Sequence, residues 1–203
     1  MKKYLCLLIL GLFAASGARA EQAASPRAFA EQLADQIMKE VVLSKSAMPE
    51  KQAAFRRVFL EATNIRTIAR FTLGRYYKSA TEEQREAFIS AFTNNVILTW
   101  TERFSNYAGE QIKFRDTRQD KNDFYVNSTL DIPNTENDIE IIWRISDKKG
   151  HMQLVDLVVE GVSMIMSYRN EYASVLQQNG GDVQTLINML NNKNKALLNP
   201  PKK

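Results

Sequence analysis

The sequence predicts an α+β fold in which an antiparallel four-stranded sheet is covered by helices. Three observations carry that expectation: helical periodicity up to about residue 107, a change to a two-residue period from Ile112 that ends in a more apolar run to Val159, and a return of the helical period after Gly161. Helices, then strands, then helices is a segregated order, unlike the strand–helix alternation of a parallel sheet.

The first helix follows from Phe29, Leu33, Ile37 and Val41, four residues apart behind Ser25-Pro26, where a capping hydroxyl precedes a proline suited to the first turn. Pro49 opens a second helix carrying Phe55, Val58, Phe59 and Ala62, and Asn64 caps a short third one with Ile65, Ile68 and Ala69 inward. Thr81-x-x-Gln84 is a capping box. The helix it opens is long, with Phe88, Phe92, Val96, Trp100, Phe104 and Tyr107 forming one aromatic stripe before Gly109 stops it.

Ile112 and Phe114 then alternate with charged neighbours, as do Phe124, Val126 and Leu130 with Tyr125, Asn127 and Thr129. Ile139, Ile141, Trp143 and Ile145 make the third strand, Asp147–Gly150 a hairpin turn, and Met152–Val159 a more apolar fourth strand. This pattern is a meander with one face covered. After Glu160-Gly161 come two more helices. The first carries Met164, Ile165, Tyr168, Tyr172, Val175 and Leu176; Gly180-Gly181-Asp182 ends it and caps the second, which carries Val183, Leu186, Ile187 and Leu190.

Residues 1–20 read as a cleaved export signal. Met1-Lys2-Lys3 is the positive start, Tyr4–Ala15 an apolar stretch too short to span a bilayer, and Ala18-Arg19-Ala20 a small-x-small cleavage site. The expected location is the periplasm, with residues 21–190 as one domain and 191–203, rich in Asn and Lys and containing Pro200-Pro201, as a flexible tail. Cleavage after Ala20 removes Lys2, Lys3 and Arg19 but no acidic residue. The 27 basic side chains become 24, against 23 acidic ones, so the net charge of +4 is largely the signal and nucleic acid is not the expected partner. Cys6 goes too, and with it disulfide, thiol and Cys-metal chemistry.

Catalytic signatures are sparse. His151 is the single histidine and sits beside a turn glycine, which suits an exposed turn residue better than a zinc ligand or a triad base. No phosphate-binding loop, dinucleotide fingerprint or calcium loop is present. Asp156, in an apolar strand, needs a hydrogen-bond or ion-pair partner; the other reading is a proton shuttle. Ten Phe, seven Tyr and seven Met, with Met164 and Met166 flanking Ile165, suit a pliable apolar pocket as well as plain core.

Several stretches resemble the MlaC family, the toluene-tolerance group of envelope proteins. They are Ala69-Arg70-Phe71-Thr72-Leu73-Gly74-Arg75-Tyr76-Tyr77 with Ala80–Phe88, Tyr107-Ala108-Gly109-Glu110, Asp156–Ser163 followed by Tyr168-Arg169-Asn170-Glu171-Tyr172, and Gly181–Leu186. The likeness runs from about Phe29 to Leu190; Met152 departs from it, standing where many members have Trp, and bears on which lipid is carried. A hopanoid-linked branch has similar motifs. The resemblance implies an NTF2-like sheet-and-helix fold with an added helical lobe and a deep apolar cavity for phospholipid tails. It implies exchange of phospholipid between an inner-membrane ABC transporter complex, with its lipid-binding ring component, and an outer-membrane lipoprotein complex. Cargo is then bound lipid, with no cofactor, metal or catalytic residue, and a shuttle of this kind is most simply a monomer.

On this reading the candidate cavity lining is Ile68, Phe71, Phe88, Phe92, Val96, Phe104, Val126, Ile141, Trp143, Leu157, Val162, Ile165 and Met166, each equally readable as core. The motif and structural residues are Leu73, Gly74, Arg75, Gln84, Gly109, Asp156, Glu160, Gly161, Ser163, Tyr168 and Arg169. Arg75 and Arg169 are expected to position turns through carboxylate pairs or to meet a phosphate. The alternatives are a hopanoid or other apolar-ligand carrier, a ketosteroid-isomerase-type enzyme using Asp156, and an envelope adaptor that binds a protein partner.

Overall fold

The structure, a computed structural model, describes residues 25–104, 110–132, 138–148 and 150–199. The export signal, Tyr107, Gly109 and Lys149 lie outside the described residues.

Helix α1 (Pro26–Ile37) begins where Ser25 accepts a hydrogen bond from the Ala28 amide, and one π turn, Met38–Val42, prolongs it. Then follow α2 (Met48–Ala62) and α3 (Ile65–Leu73), the latter capped by Asn64, and a 3₁₀ turn, Gly74–Tyr77. The capping box opens α4 (Glu82–Phe104): the Gln84 amide donates to Thr81 Oγ1 at 3.2 Å and the Thr81 amide to Gln84 Oε1 at 3.1 Å.

The sheet has five antiparallel strands in sequential order, not four: β1 (Gln111–Asp120), β2 (Asp123–Asp131), β3 (Ile139–Lys148), β4 (His151–Val159) and β5 (Val162–Ser163). The fifth is two residues long, below the reach of any alternation pattern. It exists because Glu160 (φ 50) and Gly161 (φ 75) both take left-handed backbone, as a tight hairpin requires. Glu160 is held there from two sides: its amide donates to the Glu140 carbonyl, and its carboxylate accepts from the Glu140 amide.

Helices α5 (Met164–Gln178) and α6 (Val183–Leu198) complete the chain. Helix α6 continues through Asn191–Leu198, where composition predicts a tail. Asn194 holds it, accepting from Asn95 Nδ2 at 2.9 Å and donating to the Ala91 carbonyl at 3.0 Å, both buried against α4.

Packing divides into separate apolar clusters. One is helical: Ile68, Phe88, Phe92 and Val96 meet Tyr172, Leu176, Leu186 and Leu190. The second joins α1 and α2 to the sheet through Leu33, Val58, Val126, Trp143, Ile145 and Leu154. A small third one links Val41, Phe55 and Ile97. Helix α4 is therefore not a one-sided amphipathic helix. It is buried on several sides, and its aromatic stripe divides: Phe88 and Phe92 meet Tyr168 and Tyr172 edge-on, while Phe104 meets Phe55 and Trp100. Thr93 and Thr101 tolerate this burial because their hydroxyls donate to carbonyls four residues back.

Candidate functional site

The seam between the helical and the sheet clusters is a narrow apolar cleft. Phe59 from α2 and Thr63 just past its end, Ile68 from α3, and Phe92, Val96 and Trp100 from α4 form one wall; Leu154–Leu157 of β4 and Met164, Ile165 and Tyr168 of α5 form the other. A β-bulge shapes the β4 side: Arg144 and Ile145, adjacent on β3, pair with Asp156 and Leu154, leaving Val155 as the extra residue. Bulges bend a strand and re-aim its side chains.

Of the candidate lining, the seam brings together Ile68, Phe92, Val96, Leu157 and Ile165. The others lie elsewhere. Phe88 is fully buried in the helical cluster, Val126, Trp143 and half-buried Ile141 belong to the sheet cluster, and Phe104 packs on Phe55. Phe71, Val162 and Met166 are exposed at the surface, by 37%, 53% and 42%. Trp143 is tied in place, its indole N–H donating to Ser128 Oγ at 2.9 Å. Sequence reasoning omitted Phe59, Trp100, Leu154, Met164 and Tyr168. Trp100 and Tyr168 stood in predicted apolar stripes, but the pairing of Leu154 with Leu157 depends on the bulge, which alternation does not show.

The seam also differs from the deep cavity expected of it. Its volume is about 70 Å³, well under the ~300–1,000 Å³ typical of sites that enclose a ligand. Side chains nearly close it in this conformation. A larger groove of about 580 Å³ lies elsewhere, between α2, α4 and the end of α6.

Asp156 is buried, and both oxygens of its carboxylate are engaged: Oδ2 accepts from the Ser163 hydroxyl at 2.5 Å and Oδ1 from the Ile165 amide at 3.1 Å. Ser163 in turn accepts from the Met166 amide, capping α5. The Asp-to-Ser motif thus fastens the hairpin β4–β5 to the start of α5, with a carboxylate at the positive end of the helix. Arg169 donates to the Phe71 carbonyl at 2.8 Å and stacks on the Phe71 ring. Its guanidinium lies 3.3 Å from where a Cβ on Gly74 would sit, and Gly74 has φ +60, so both space and backbone require glycine there. Arg75 donates to the hydroxyl of Tyr76 and stacks on its ring. Among the described residues neither arginine has a carboxylate partner; a backbone carbonyl and a phenol stand where carboxylates were expected. Leu73 is buried core and His151 is exposed at its turn. Burial raises the Tyr168 phenol above its usual range, against a hydrogen bond with Trp100.

The family profile described as "MlaC protein" matches residues 27–192. The chain belongs to the MlaC family. It is 25% identical over 171 residues to the "Intermembrane phospholipid transport system binding protein MlaC" of Haemophilus influenzae, covering 80% of this chain and 79% of that one. The fold is similar to that of a phospholipid-binding protein from Ralstonia solanacearum, solved in complex with a phospholipid, with a TM-score of 0.74 and 18% identity over 85% of this chain and 98% of the other. The MlaC family profile ends at residue 192, within α6, and spans every residue of the seam.

Proposed function

We propose that this MlaC-family chain binds phospholipid, with the acyl tails inserted along the seam between its helical and sheet cores. It then carries the lipid across the periplasm between an inner-membrane ABC transporter complex and an outer-membrane lipoprotein complex. The observation that carries the reading is the seam itself: an almost wholly apolar cleft between two separately packed clusters, in a chain whose relatives are named for phospholipid binding and transport.

The small volume of the cleft is compatible with this role on energetic grounds. Tails entering the seam replace side-chain contacts across it with side-chain–tail contacts, hydrocarbon for hydrocarbon, so parting the two clusters exposes little to water. Withdrawing two long tails from water contributes on the order of 20 kcal/mol, at ~0.8 kcal/mol per CH₂. That far exceeds what a few parted contacts cost. The NTF2-like description belongs to the same reading: an antiparallel sheet with a bulge at Val155, packed against helices α1 and α2.

No catalytic residue is needed for such transfer. The isomerase-type alternative needs an available carboxylate, whereas Asp156 spends both oxygens on the α5 start. Organic extraction of the purified protein followed by mass spectrometry tests the reading. Phospholipid in near-stoichiometric amount is expected from the native chain, and little from a folded Phe92→Glu variant. A hopanoid in the extract would favour that branch, and a native protein with no extractable lipid would sink the carrier reading.

A further inference from the structure

The groove between α2, α4 and the end of α6 is larger than the seam, and the seam reading makes no use of it. Buried Ile97 and Leu98 form its floor; Ala53, Leu60 and Leu198 form apolar walls, the last two exposed to solvent by 37% and 57%. At about 580 Å³ it falls within the ~300–1,000 Å³ range of small-molecule sites.

One charged group in the lining lacks a counter-charge. Arg56 is half-buried and donates to Asn94 Oδ1 at 2.5 Å, and among the described residues no carboxylate stands within ion-pair reach of it. Its neighbour Arg57 is different, being occupied by Glu40 and Glu61. Arg56 therefore presents unused N–H donors and a full positive charge beside an apolar trough, with Asn94 fixing its orientation. A planar guanidinium in that setting favours a carboxylate or phosphate.

We infer that this groove is a second ligand site, taking a single-chain anionic amphiphile with its head on Arg56 and its alkyl chain along Ile97, Leu98 and Leu60. Such a molecule is chemically what remains when a phospholipid loses an acyl chain, or the chain so released. The site shares no lining residue with the seam, so it stands apart from the seam reading.

Calorimetric titration of the purified chain with dodecanoate, dodecyl phosphate and uncharged dodecanol, each below its micelle concentration, tests this. One equivalent of an anionic probe should bind, at least roughly tenfold more tightly than dodecanol. Arg56→Gln should remove that preference, and Ala53→Trp, a change at an exposed wall position, should block all three. Preference for carboxylate or for phosphate identifies the head group, and either supports the site. Equal binding of dodecanol, indifference to both substitutions, or release of co-purified phospholipid on titration would overturn it. Phospholipid content measured in the same samples reports on the seam separately.

Discussion

Asp156 shows how one buried side chain can decide between two chemistries. A carboxylate poised as a proton shuttle would keep an oxygen free for substrate, but here the two oxygens serve the Ser163 hydroxyl and the Ile165 amide. Asp156→Ala leaves those donors unpaired in a buried place and should destabilise the fold by about 2 kcal/mol, read as a lowered denaturant midpoint. Asp156→Asn keeps an acceptor for the amide, so its lipid load should match the native protein; a selective loss of lipid with unchanged stability would place Asp156 in ligand binding. That Asp156 needed a partner was legible from its apolar strand. Which partner was not, because Ser163 reaches it only through a hairpin too short to leave a pattern. Arg169 was mispaired for a related reason: sequence offers carboxylates as partners by charge, while a backbone carbonyl becomes available only where a helix ends, here at Phe71 before Gly74.

At the scale of elements, the starts of helices were the most legible features, since capping is local chemistry. Ser25, Asn64, the Thr81–Gln84 box and Asp182 all cap where the sequence places them. Thr81→Ala should cost about 1 kcal/mol of stability by thermal or denaturant unfolding. Asp182 adds a pH dependence. The Thr185 hydroxyl, and then the amides of Gln184 and Thr185, hold its carboxyl below the usual aspartate range. A depressed folded value means that the stabilisation is fully present above the unfolded pKa and is lost as pH falls through the folded one. From about pH 4 downward the native chain should lose stability that Asp182→Asn does not, so the gap between their melting temperatures closes on acidification. A gap that stays constant with pH would contradict the assignment. Element ends were harder to read. Helix α6 outlasts its apolar repeat because Asn194, polar in sequence, is buried against Asn95 and Ala91. Helix α4 looked one-sided because aromatic residues dominate the eye, yet Asn95, Thr93 and Thr101 are buried as well.

For the whole molecule, the governing feature is that α3 to α6 form one core, and α1 and α2 with the sheet another, and that the two meet along an apolar seam. The class of fold followed from periodicity, while the apolar cavity was expected from the family resemblance alone. The lining of the seam was not legible, because residues such as Val126 and Trp143 face α1 and α2 instead, and because a bulge shifts β4 by one residue. The central claim is that phospholipid tails occupy this seam. Loading the protein with a phospholipid that carries a photoactivatable diazirine on one acyl chain, irradiating it and mapping the labelled peptides tests that claim directly. Labels are predicted on Ile68, Phe92, Val96, Leu154, Leu157 and Ile165. Labels confined to the groove of Ala53, Leu60 and Leu198, or to the outer surface, would contradict it.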